Sequence, residues 1–248
     1  VFREFPDKIF QILTKRPERQ QENLSGWDAK RVSWVIRERA WDLASSLPPR
    51  KIAEVRRRLK ATLDQTEGGY EWPLPNVWAG VSVEDQRRAD ERIPYLLNTP
   101  AAVRWISAEP LLGPIDLTMI KWGKRPHQMG DFDQYIDAMS GTICDGMGFE
   151  RQLAEKHRLN WVVAGGESGP GARPCQLEWL RSLRDQSAAA GVPYFLKQFG
   201  ANVIGRWLPE PLPDLRDGDG QWLLHDSHGG DPDEWPADLR VRQWPVLR

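Results

Sequence analysis

The sequence predicts an α/β protein whose strands run parallel, in a sheet or a barrel. Five short apolar runs carry that reading: Phe10-Gln-Ile-Leu-Thr-Lys15, Val77-Trp-Ala-Gly-Val-Ser-Val83, Val103-Arg-Trp-Ile-Ser-Ala108, Trp161-Val-Val-Ala-Gly165 and Tyr194-Phe-Leu-Lys197. Each is rich in β-branched or aromatic residues and too short to be a buried helix. Near-continuous apolar strands joined by helical or long connections are the mark of a parallel sheet covered on both faces. Each run also ends in polar residues: Lys15-Arg16, Ser82 with Glu84-Asp85, Ser107 with Glu109, Glu167-Ser168, and Lys197-Gln198. Strand C-terminal ends line the active-site face of such folds, so a site is expected there. Any one of these ends read alone is an ordinary polar strand exit.

The connections follow in order. Residues 25–47 read as an amphipathic helix with Trp27, Trp34 and Trp41 on one stripe, stopped by Pro48-Pro49. A second helix over about 50–63 puts Ile52, Val55, Leu59 and Leu63 on one face. Its Arg56, Arg57 and Arg58 make either a solvated face or a phosphate contact. This helical insert, about 20–70, is long for a crossover. Residues 84–97 form a shorter helix, interrupted or restarted near Pro94, and 118–150 lack periodicity, which predicts a mobile loop insert over about 118–158. Residues 177–190 form a clear helix ended by Gly191. The predicted division is a domain over 1–200 and an appendage over 201–248. The appendage holds a β-hairpin about Asp217-Gly-Asp-Gly220 and a wrapping tail anchored by Trp235 and Trp244.

Composition narrows the class. The 248 residues carry 34 Lys plus Arg against 35 Asp plus Glu, so bulk charge gives no argument for nucleic acid. No apolar stretch is long enough for a membrane span, and a cytoplasmic protein with no membrane partner is expected. The 2 cysteines, Cys144 and Cys175, exclude a disulfide scaffold and a four-thiolate metal site. The histidines have no metal-ligand spacing, so no metal ligand is assigned from the residues. The start, Val1-Phe-Arg-Glu-Phe-Pro6, has neither Met nor a signal segment and suggests a chain that begins further upstream.

Two segments carry chemistry. Gly165-Gly-Glu-Ser-Gly-Pro-Gly-Ala-Arg-Pro174 lets a strand run into paired glycines, where a ligand can approach the backbone and amides can hold an anion. It fits neither a phosphate-binding Walker loop nor a dinucleotide fingerprint. Glu167 could fix an ammonium or hydroxyl there and Arg173 a carboxylate; a plain Gly/Pro turn explains the spacing equally well. In Ser107-Ala-Glu-Pro-Leu-Leu-Gly-Pro114, Glu109 stands at a strand end. It serves either the site or an ion pair with Lys15 or Lys197.

Taken together, Leu13-Thr-Lys-Arg-Pro17, Asn76-Val-Trp-Ala-Gly-Val-Ser-Val-Glu-Asp85, the two segments above, Phe195-Leu-Lys-Gln198 and the ending Asp231-Pro-Asp-Glu-Trp-Pro236 with Leu239-Arg-Val-Arg242 resemble a phage and bacterial radical-SAM-like family of unknown function. The resemblance implies the C-terminal part of a partial (β/α) barrel that binds S-adenosylmethionine (SAM) and a [4Fe-4S] cluster. It also implies reductive SAM cleavage and hydrogen abstraction from an unknown substrate. The cluster ligands, a three-cysteine motif, are absent from this chain. By the same resemblance Lys15 and Ser82 contact the methionine part of SAM, while Glu109, Glu167, Ser168 and Lys197 face the substrate side. The expected site is therefore Glu109, Glu167 and Lys197 as catalytic groups, with Lys15, Ser82, Gly165, Gly166, Ser168 and Arg173 holding the cofactor. A nucleic-acid base is a substrate suggested only by kinship with DNA-repair lyases. Two other functions compete: a cluster-free protein binding an anionic metabolite at Gly165-Gly166, and a phage accessory protein binding nucleic acid or a host partner through Arg56, Arg57 and Arg58.

Overall fold

A computed structural model describes residues 8–26, 72–128, 130–153, 157–205 and 224–246. The strands are β1 (Phe10–Thr14), β2 (Val77–Ser82), β3 (Val103–Ala108), β4 (Ile120–Arg125), β5 (Phe132–Asp137), β6 (Thr142–Asp145), β7 (Glu150–Gln152), β8 (Trp161–Gly165), β9 (Cys175–Gln176), β10 (Tyr194–Gln198) and β11 (Val203–Ile204). The helices are α1 (Pro17–Ser25), α2 (Gln86–Leu97) and α3 (Leu177–Ala190), with two 3-10 turns, Pro232–Glu234 and Ala237–Leu239, in the tail.

The chain is mixed α/β, and its centre is a parallel sheet of five strands in the order β1-β2-β3-β8-β10. These are the five apolar runs, and all their pairings are parallel. Every residue of β2, β3 and β8 is buried, which is why their sequences are continuously apolar rather than alternating. Side chains nevertheless alternate between two different layers. Ala79, Val81, Ile106, Ala108, Val162, Ala164 and Leu196 join one core with Ile93, Leu96 and Leu97 of α2 and Leu177, Leu180 and Leu183 of α3. Each of the buried Val, Leu and Ile side chains contributes about 2 kcal/mol. Trp78, Val103, Trp105, Trp161, Val163 and Phe195 form a second cluster on the opposite face, to which none of the described helices contributes. Trp161 anchors it, with its ring 5.8 Å from Trp78, 5.5 Å from Trp105 and 4.8 Å from Trp244. Gly80 is required beneath it, because a Cβ there would overlap the Trp105 indole.

Local chemistry sets the helices. Asp85 caps α2 by accepting from the Arg88 amide at 2.8 Å. The helix continues through Pro94 instead of breaking, because Ile93, Leu96 and Leu97 bury its last turn against the sheet. α3 ends at Gly191, which is left-handed (φ 64°), as its position before Pro193 predicts.

The expected loop over 118–158 is corrected by the structure. β4–β5–β6–β7 form a four-stranded antiparallel sheet whose Ile120, Ile136 and Ile143 enter the main core. A register shift between Lys121 and Gly123 breaks the alternation in β4, and β6 and β7 are very short, so the period-two pattern is hidden. After β10 the chain forms β11, paired to β9, and the tail then wraps back. Trp235 is buried against Phe199, ring to ring at 5.0 Å, and its indole donates to the Gly229 carbonyl. The helix predicted to begin at 25 is corrected at its start, since Ser25 ends α1 and Gly26 caps it; the rest of that helix with its Trp stripe, the helix predicted over 50–63 with the Arg triplet, and the hairpin near 217–220 lie outside the described residues.

Candidate functional site

Because all five central strands run the same way, their C-terminal ends meet at one edge. In strand order, Lys15 stands just past β1, Ser82 ends β2, Glu109 and Glu167 stand just past β3 and β8, and Lys197 is the next-to-last residue of β10. They form three charged clusters.

The first is built from β1, β2 and α2. Lys15 Nζ lies 2.6 Å from Glu84 Oε1, and Arg92 donates to Glu84 Oε2 at 2.9 Å and to the Ser82 carbonyl at 2.8 Å. Glu84 is buried, whereas the Lys15 side chain is 60% exposed. Burial works against the Glu84 charge, but the Lys15 hydrogen bond and the Arg92 charge outweigh it and hold the carboxyl below its ordinary value. The second cluster follows β8. Arg173 grips Glu167 with two bonds of 2.7 Å, and its backbone amide adds a third at 3.0 Å. Those bonds, the side-chain ones first, pull the Glu167 carboxyl down to about 2. The third joins β3 and β10: Lys197 Nζ bonds both Glu109 oxygens at 2.9 and 3.1 Å, and Gln198 adds 3.2 Å.

The first two clusters share a cavity of 460 Å³ lined by Lys15, Glu84, Asp85, Arg88, Arg92, Pro110, Leu112, Glu167 and Arg173. It offers both signs of charge within one small space, which suits a ligand that is itself zwitterionic. Of the residues expected from sequence, Lys15, Glu167 and Arg173 line it. Glu109 pairs with Lys197, not Lys15, in the neighbouring cluster. Ser82 stands beside Ser107 in register, on the sheet face away from the helices. Ser168 is exposed next to Glu167.

Gly165 and Gly166 are explained by the chain's own packing. A Cβ on Gly166 would overlap the Phe199 carbonyl, and the Gly166 amide donates to Gln198 O at 3.1 Å. The close approach they permit is that of the β10 exit. Sequence reasoning missed Glu84 and Arg92 as site residues. The signal for Glu84 was its place two residues beyond Ser82, on the strand exit already noted. Arg92 is legible only once α2 is folded over β2.

The fit to a [4Fe-4S] cluster can be tested on the donors present. Cys175 is fully buried on β9, and burial pushes its thiol up to about 12; Cys144 lies on β6 in the other sheet. Two thiols in separate sheets cannot provide a three-thiolate site, and no metal-ligand group occurs among the described residues. The residues of this chain do not fit the cluster.

Fold and site together define an α/β protein with a cavity of mixed charge at the C-terminal ends of its parallel strands. Residues 1–217 match the model of the family described as "Protein of unknown function (DUF5131)", and the chain belongs to that family. No curated protein and no solved structure matches it. Among the described residues, no helix is long and apolar enough to cross a membrane.

Proposed function

We propose that this chain binds a small zwitterionic ligand at the C-terminal edge of its sheet, and that the ligand is SAM, held as in the later strands of a radical-SAM-type (β/α) barrel. The observation that carries the reading is the convergence of Lys15, Glu84, Glu167 and Arg173 in one cavity. An ammonium and a carboxylate entering there could exchange with the existing Lys15–Glu84 and Arg173–Glu167 pairs, so each charge keeps a partner. Parallel strands in sequence order, with the described helices on one face, are also how a (β/α) barrel is assembled. SAM carries an adenosyl group activated by its sulfonium. The roles left to this chain are to hold the methionine part through Lys15 and to present Ser82, Ser107, Glu109 and Lys197 on the adjoining face.

The test is calorimetric titration of the full chain with SAM, repeated on Lys15→Ala. Saturable binding weakened at least about tenfold by the substitution is expected, equivalent to about 1.4 kcal/mol. Absence of binding, or an unchanged affinity in Lys15→Ala, would remove the proposal.

A further inference from the structure

Most of the charged side chains that line the strand-end cavity are committed to one another. Both Glu84 oxygens are held, Oε1 by Lys15 at 2.6 Å and Oε2 by Arg92 at 2.9 Å. Both Glu167 oxygens are held by Arg173 at 2.7 Å. Arg88 turns to Glu91 at 2.6 Å. Two groups keep capacity to spare. The Lys15 ammonium has three N–H donors, uses one on Glu84, and its side chain is 60% exposed. Asp85 is half-buried at the start of α2, where its Oδ1 accepts the Arg88 amide at 2.8 Å. Among the described residues, nothing donates to its Oδ2 and no cation pairs with its carboxylate. Asp85 and Lys15 line the same cavity without pairing with each other.

The fold holds Asp85 in place. Its extended backbone (φ −158°, ψ 176°) caps α2. The Leu112 amide donates to the Glu84 carbonyl at 2.7 Å, which draws the β3 exit against this segment. Gly113 passes so near that a Cβ on it would lie 3.6 Å from the Asp85 Cβ. A carboxylate fixed in this way is already placed when a ligand arrives. An ammonium that displaced Arg173 from Glu167, or Arg92 from Glu84, would lose the bonds of that pair. The same ammonium on Asp85 Oδ2 breaks nothing, and a carboxylate on Lys15 adds to the contact already there. An ammonium and a carboxylate on one carbon make an α-amino-acid group. Pro110 and Leu112 add an apolar wall for the carbon chain that follows.

We propose that Asp85 determines the specificity of the cavity, by taking the ammonium of an α-amino-acid group whose carboxylate rests on Lys15. The inference rests on the zwitterion reading above and adds to it a polarity and a required chemical group. A ligand that keeps the adenosyl group and the sulfonium but lacks the α-ammonium is rejected.

The test is calorimetric titration of the full chain with SAM and with its deamino analogue, which has hydrogen in place of the α-ammonium. Both ligands are also titrated into Asp85→Asn and Asp85→Ser. Asn and Ser cap helices about as well as Asp does, so these variants keep α2 and lose the charge. The wild type should bind SAM at least about tenfold more tightly than the analogue. In both variants that preference should shrink to about twofold or less, through weaker SAM binding and unchanged analogue binding. Equal affinity of the wild type for the two ligands, or a preference that survives both substitutions, would overturn the role of Asp85 and leave SAM binding standing. Failure of the wild type to bind SAM would overturn both.

Discussion

The two edges of the central sheet are treated in opposite ways. At β10 the tail lies along the strand: Leu196 donates to Val241, Gln243 donates to Tyr194, and the Gln243 side chain accepts from the Tyr194 amide. Arg242 reinforces this by donating to the carbonyls of Leu196, Lys197 and Gly230 while lying 4.8 Å from the Trp235 ring. At β1 no described segment plays this part, and Lys15 and Arg16 stand at the strand exit. An uncovered strand edge invites pairing, and proteins commonly remove that hazard by covering it. The chain covers the edge that carries Lys197, and so fixes one wall of the site. The other wall, at Lys15, rests on its ion pair with Glu84.

Breaking the covered edge should have the largest effect. Trp235→Ala removes a fully buried indole and the floor beneath Arg242, at a cost of about 3–5 kcal/mol in urea denaturation. A loss below about 1 kcal/mol would mean that the tail contributes little to the fold. Gly166→Ala comes next. It drives a methyl into the Phe199 carbonyl where the exits of β8 and β10 cross, and should cost about 1–3 kcal/mol. Wild-type stability in that variant would show that the two exits are not held in contact.

The smallest effect sharpens the comparison at the Lys15 wall and depends on pH. The Glu84 carboxyl is held below its ordinary value of 4.5, so the unfolded chain protonates it more readily than the folded one. Its stabilisation is complete above that ordinary value and is lost as pH falls through the lowered one. Between about pH 6 and about pH 3, Glu84→Gln should therefore lose less melting temperature than the wild type does. Equal losses would show that the Lys15–Glu84–Arg92 cluster is not felt in the folding equilibrium.

Most of the central sheet was legible in the sequence, for a physical reason. Strands buried on both faces must be continuously apolar, and β3 and β8 begin and end where the runs Val103–Ala108 and Trp161–Gly165 do. The gathering of polar strand ends followed from that. The antiparallel β4–β7 sheet was not legible, because its strands are short, one is bulged, and only one face meets the core. The pairing pattern was only partly legible. Glu109 had two candidate lysines by sequence, and geometry selects Lys197, because Lys15 is taken by Glu84. The glycine pair at 165–166 was read as room for a ligand, but that room is filled by the chain's own backbone, a distant contact that no local pattern reveals.

The central claim is that one cavity at the strand ends receives a zwitterionic ligand. Amide hydrogen exchange of the full chain, with and without saturating SAM, tests it most directly. Slower exchange is predicted at residues 82–88, 109–113 and 167–173, with β4–β7 unchanged. Protection confined to β4–β7, or none at any of those three strand exits, would contradict it.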